Sequence, residues 1–125
     1  MRIIIDTNIL FDPTALRALA RSSLPVVLPM VAFAERARHV WRDRRTSPGN
    51  LAAAINEMGI DIEPLGMEEA ARFVPFLADP LWHRHARDAL IAGHVGRHDL
   101  LWSHNRRDFE AVGVSTQQIV DPASL

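Results

Sequence analysis

Met1-Arg2-Ile3-Ile4-Ile5-Asp6-Thr7-Asn8-Ile9-Leu10 opens the chain, and its reading decides the fold. The apolar run Ile3-Ile4-Ile5 is too short for a helix and β-branched throughout. It predicts a strand buried on both faces, as in the middle of a parallel sheet. Asp6 then stands at the C-terminal end of that strand. Ligands bind at this edge in open α/β sheets, so an acid delivered there is a candidate for metal or phosphate chemistry. Asp-Thr-Asn is also good turn and helix-start chemistry, and the run alone does not separate the two readings.

Strand-like and helix-like segments alternate along the rest of the chain. Strands are expected at Arg2 to Ile5, Val26 to Leu28, Ile60 to Ile62, Leu100 to Trp102 and Gln118 to Val120, each bounded by Pro, Gly, Asp or Asn. Helices are expected at Thr14 to Arg21, Met30 to Arg44, Asn50 to Met58, Glu68 to Ala78, Arg84 to Arg97 and Arg107 to Val112. The alternation implies an α/β fold in three layers, with a mostly parallel sheet of about five strands covered on both faces. The segment Arg44 to Asn50 reads as the most flexible loop, and Pro75 and Pro80 disturb the region before His83.

Composition excludes several chemistries. At 125 residues the chain is expected to be a single domain over 1–125, burying about two-thirds of its unfolded surface. No apolar run approaches the roughly 20 residues that span a bilayer, and the immediate start as a strand predicts no signal peptide. A cytoplasmic protein without a membrane partner is expected. The absence of cysteine excludes thiol catalysis and thiolate metal sites. The absence of lysine excludes a P-loop and Schiff-base chemistry, since all 14 basic residues are arginine.

Further acids stand where local structure does not call for them. Helical spacing puts Asp88 on the stripe of Ile91, Ala92 and Val95, where a carboxylate needs a partner, although a first-turn acid also complements the helix dipole. Glu35 lies in the first turns of the helix after Pro29, and an ion pair with Arg38 or His39 would also explain it. Asn105 and Asp108 follow the penultimate strand three residues apart, either as a cap with a first-turn acid or on one functional face. Taken together, these residues would bring four to five oxygen ligands to one sheet edge, as Mg²⁺ or Mn²⁺ requires. Such an ion lowers the pKa of a bound water and stabilises the oxygens of a phosphodiester displacement.

The order Asp6-Thr7-Asn8, Glu35 in a helix opened by Pro29, Asp88-Ala89-Leu90-Ile91-Ala92-Gly93-His94, and Ser103-His104-Asn105-Arg106-Arg107-Asp108-Phe109 resembles a PIN domain. Among PIN domains the chain is most similar to VapC-type toxins of toxin–antitoxin pairs, over essentially its whole length. The resemblance implies Mg²⁺- or Mn²⁺-dependent cleavage of RNA by metal-activated water. It also implies a homodimer and a small antitoxin protein that blocks the site. Asp6, Glu35 and Asp88 match the three metal-holding acids, and Asn105 and Asp108 match a fourth motif that varies between members. The implied catalytic acids are then Asp6, Glu35, Asp88 and Asp108. The chain departs from the pattern at Ser103, where threonine is usual, and at Asn105, where many relatives carry an acid. The neutral amide keeps open a weaker or single metal site, or a PIN-like module that binds RNA or protein without turnover. Thr7, Asn8 and Ser103 are expected to hold the carboxylates by hydrogen bonds.

No pair among the six histidines has the spacing of a His-Glu-x-x-His zinc site, so packing is expected for His94 and an outer RNA contact for His104. Arg36, Arg38, Arg42, Arg44 and Arg45 read first as a solvated helix face, although Arg38 and Arg42 share a side that would suit RNA phosphate or an antitoxin. Trp41, Phe73, Phe76, Leu77 and Trp82 are read as core. A patch around Phe33, Trp41 and Phe76 would alternatively serve a dimer interface or antitoxin groove.

Overall fold

The computed structural model describes residues 1–75, 80 and 82–124. Five strands, β1 (Ile3–Ile5), β2 (Val26–Pro29), β3 (Ile60–Glu63), β4 (Leu100–Trp102) and β5 (Ile119–Val120), form an all-parallel sheet in the order β3-β2-β1-β4-β5. The described helices are α1 (Pro13–Ala20), α2 (Met30–Arg44), α3 (Pro48–Glu57), α4 (Met67–Phe73), α5 (Ala86–Ala92) and α6 (Arg106–Ala111).

β1 is the central strand, and Ile3, Ile4 and Ile5 are each no more than 1 % exposed. Successive strand side chains point to opposite faces, so burial of all three requires a helical layer on each side. Right-handed crossovers supply both layers, with α1, α2 and α3 on one face and α4, α5 and α6 on the other. Accordingly Leu16, Arg36 and Ile55 line one cavity, while Arg72, Ala92 and Val112 line another. Burying the three isoleucines contributes about 5–9 kcal/mol at most, comparable with the whole net stability of a small domain.

The strand order reverses between β1 and β4, so the ligand-binding crevice of this topology opens at their C-terminal ends. The ladder runs one residue past the strands there. The Asp6 amide donates to the Trp102 carbonyl at 3.1 Å, and the Ser103 amide donates to the Val120 carbonyl at 3.0 Å. Asp6 also caps a 3₁₀ turn over Thr7–Phe11, its side chain accepting from the Thr7 amide. β2 passes into α2 with no intervening loop, because Pro29 keeps an extended ψ of 145° while Met30 already begins the helix.

Three helices differ from the sequence expectation. α3 starts at Pro48, inside the segment read as a flexible loop, because Ser47 caps it through the Asn50 amide and proline suits the first helical position. α5 covers only Ala86–Ala92 of the expected Arg84 to Arg97. His85 stands outside helical geometry at its start, and tight turns at His94 and Val95 close its end. α4 ends at Phe73, and residues 76–78 of the expected helix lie outside the described residues.

Gly93 marks where α4 and α5 approach closely. A Cβ on Gly93 would fall 2.8 Å from the Glu69 carbonyl oxygen, a backbone atom that cannot swing aside. Gly93→Ala is therefore expected to destabilise the fold by about 1–3 kcal/mol. Urea denaturation should show a lower midpoint at unchanged slope.

Candidate metal and active site

Three acids from three elements meet at the crevice. Asp6 arrives at the end of β1, Glu35 from the second turn of α2 and Asp88 from the first turn of α5. What joins them is Arg87. Its Nη2 donates to Asp6 Oδ1 at 2.7 Å, its Nε to Glu35 Oε1 and Oε2 at 2.7 and 2.8 Å, and its Nη1 to Asp88 Oδ1 at 2.7 Å. One guanidinium thus touches every member of the expected three-acid set.

The neighbours expected to hold these acids are partly in place. Ser103, fully buried, donates its hydroxyl to Asp6 Oδ2 at 2.9 Å and accepts the Asn105 amide at 2.9 Å. Thr7 gives its amide to Asp6 Oδ1 at 2.7 Å, and its Oγ1 lies 3.3 Å from both Glu35 Oε1 and Arg87 Nη2. Asn8 Oδ1 is a buried oxygen with no hydrogen-bond partner among the described residues, in the turn that carries Asp6. Asn105 and Asp108 do not join the arginine cluster by a hydrogen bond. They line an adjoining open cavity of about 500 Å³ with His104 and Asp121.

The electrostatics follow this arrangement. Burial pushes the Asp88 carboxyl above its ordinary range; the Arg87 contact opposes this, and the charges of Asp108 and Asp6 reinforce it. The Arg87 guanidinium is penalised by burial but held firmly charged by Glu35 and Asp6. The donor set is of the kind a hard divalent cation prefers, since three carboxylates surround one guanidinium that leaves two of their negative charges unbalanced, but around the arginine their oxygens are not gathered within 4.8 Å of one another as the ligand atoms of Glu63, Glu69 and His94 are.

A second cluster was not foreseen. Glu63, Glu69 and His94 place ligand atoms within 4.8 Å of one another and could hold a metal ion. Their atoms already have partners, however. His94 Nδ1 lies 2.6 Å from Glu63 Oε2, Arg2 Nη1 donates to Glu63 Oε1 at 2.7 Å, and Glu69 accepts the Gly66 amide at 3.1 Å. His94, 1 % exposed, is thus buried beside a carboxylate rather than packed only against apolar groups.

On the surface, Arg38 is exposed, and Arg42 donates to Asp43 Oδ1 at 3.0 Å beside His39. Trp41 is half exposed, with Arg45 over its ring, while Phe33 and Phe73 pack against the core. Phe76 and Leu77 lie outside the described residues. His104 is bracketed, Nδ1 being 2.8 Å from Asp121 and Nε2 2.9 Å from Asp12.

No family model and no curated protein matches the sequence. Solved structures do match the fold. FitAcB from Neisseria gonorrhoeae superimposes with a TM-score of 0.71 at 21 % identity, covering 98 % of this chain and 99 % of the other. DNA-bound VapBC from Salmonella typhimurium gives 0.69 at 18 % identity and covers 98 % of both chains. A toxin–antitoxin complex from Klebsiella pneumoniae gives 0.66 at 20 %, covering 96 % of this chain and 97 % of the other. The fold is PIN-like. In this PIN-like frame the three acids stand at the switch point of the sheet, and no described helix is long and apolar enough to cross a membrane.

Two expected outcomes test the geometry. Ser103→Ala removes a buried hydrogen bond from Asp6 and from the Asn105 amide, and should cost about 1–3 kcal/mol in urea denaturation. The second concerns pH. Burial lowers the His104 pKa, but its bonds to Asp121 and Asp12 outweigh this and raise it above the ordinary 6.5. A raised folded-state pKa stabilises fully below the unfolded value and ceases to do so as pH rises through the folded one. The melting-temperature advantage of the native chain over His104→Gln should therefore be greatest below pH 6.5 and shrink in alkaline buffer.

Proposed function

We propose that the chain is a metal-dependent endoribonuclease of the VapC toxin type, cleaving RNA phosphodiesters in the cytoplasm as a homodimer and inhibited by a small antitoxin protein. The observation that carries this reading is the convergence of Asp6, Glu35 and Asp88 on one cation at the switch-point edge. Their oxygens are the hard donors that Mg²⁺ and Mn²⁺ prefer, and Asn105 or Asp108, which line the adjoining cavity, would complete the set. Likeness in fold to a toxin–antitoxin complex and to VapBC supports the antitoxin partner.

A divalent ion held by these acids would supply Lewis acidity toward a phosphodiester oxygen and would acidify a water. The chain's own groups fix the geometry. Ser103 and the Thr7 amide hold the two oxygens of Asp6 in separate directions, leaving the carboxylate one orientation. Thr7 Oγ1 steadies Glu35, and the helix start of α5 sets Asp88. Arg38 and Arg42, on the helix that carries Glu35, and His104, beside Asn105, are the groups that would meet a phosphate chain or an antitoxin.

Purified protein with Mn²⁺ should cleave a mixed RNA pool. EDTA should stop the reaction, and Asp6→Ala and Asp88→Ala should each lower the rate at least about 100-fold, the order expected for losing several kcal/mol of transition-state stabilisation. Folded, antitoxin-free protein that binds Mn²⁺ without cleaving any RNA would instead favour a PIN-like binding module.

A further inference from the structure

Arg87 is not explained by the helix it sits on. It occupies the first turn of α5, where the positive end of the helix dipole disfavours a cation. What holds it is the set of carboxylates, each of its three nitrogens donating to a different acid. The guanidinium therefore stands at the point within reach of all three. Its contacts are to Asp6 Oδ1, Asp88 Oδ1 and both oxygens of Glu35, so a second cation cannot enter the space between the three acids while the guanidinium fills it and repels like charge. Its side chain is 36 % exposed, which leaves it a path into solvent.

We propose that Arg87 is a built-in counter-cation occupying the metal's place, and that a divalent ion loads by displacing it. The inference rests on reading Asp6, Glu35 and Asp88 as the metal-holding acids. In metal-free protein the arginine keeps three neighbouring carboxylates from repelling one another. On loading, the ion takes over that role and the side chain turns outward. The apparent metal affinity is then the intrinsic affinity reduced by the fraction of time the arginine is away.

The test has two arms. In ¹⁵N-labelled native protein the Arg87 Nε–Hε resonance, assigned by its loss in Arg87→Lys, should be shifted and slow to exchange without metal, because Nε donates to both oxygens of Glu35. Titration with Mg²⁺ should return it to the position and fast exchange of a solvated arginine. In calorimetry Arg87→Gln should bind Mn²⁺ at least about tenfold more tightly than native protein, as expected if the site is free of arginine no more than about a tenth of the time. Saturation with Mg²⁺ that leaves the native resonance unmoved, or equal Mn²⁺ affinity in native and variant proteins, would overturn the proposal while leaving the metal centre intact. Absence of Mg²⁺ and Mn²⁺ binding in all three proteins would overturn the metal centre and the proposal with it. Should Arg87→Gln fail to fold, the resonance of the native protein decides alone.

Discussion

Like charges do not share a crevice without a counter-charge, and this constraint organises the C-terminal edge of the sheet. Two unit charges about 4 Å apart interact by about 4 kcal/mol at the effective dielectric near a protein surface, so three unscreened carboxylates would oppose folding by an amount comparable with net stability. Arg87 offsets part of that opposition with a single side chain reaching the end of β1, α2 and α5 together. Arginine suits the task because its planar fork presents donors in several fixed directions, whereas an ammonium group is a compact point charge. The same three contacts tie a strand end and two helices together at the place where the chain's topology changes direction.

A second arginine answers a similar problem beneath the sheet. Arg2 donates to Asp99 and to Glu63, and its Nη2 also meets the His94 carbonyl at 3.0 Å. Burial works against its charge, and the bonds to Asp99 and Glu63 hold it charged all the same. Asp99 in turn accepts the Gly96 amide and so fixes the turn leading into β4. Strands far apart in sequence are thus locked by charge as well as by the isoleucine core. In the second network Arg2 and His94 share Glu63, so the cluster of Glu63, Glu69 and His94 mixes an imidazole with its carboxylates, whereas the set around Arg87 is all acid.

Much of this was legible in the residues. Ile3-Ile4-Ile5 identified a two-faced strand because alternation of side chains leaves no other way to bury three successive β-branched residues. Asp6 followed from its place after that strand, and Asp88 from its phase on an apolar stripe. Arg87 escaped the reading because helical periodicity pairs residues three and four apart, while adjacent residues point to different faces. Here the long side chain curls back at a helix start, beyond what periodicity describes. The partners of His94 and His104 escaped for another reason. Glu63 lies 31 residues from His94, and Asp12 lies 92 from His104, distances that only the folded chain closes. The Ser47-Pro48 start of α3 was present as a cap signal but lay in a segment whose composition resembled a loop.

The unbroken passage from β2 into α2 has a consequence for how such a chain can vary. With no loop to absorb a change of length, the position of Glu35 is fixed by helical phase counted from Pro29. One inserted residue would turn the carboxylate by about 100° around the helix axis and away from its partners. The short link between α2 and α3, around Arg45 and Thr46, carries no such phase relation to the acids. Lineages of this fold are accordingly free to lengthen there, while the seam between β2 and α2 must keep its count.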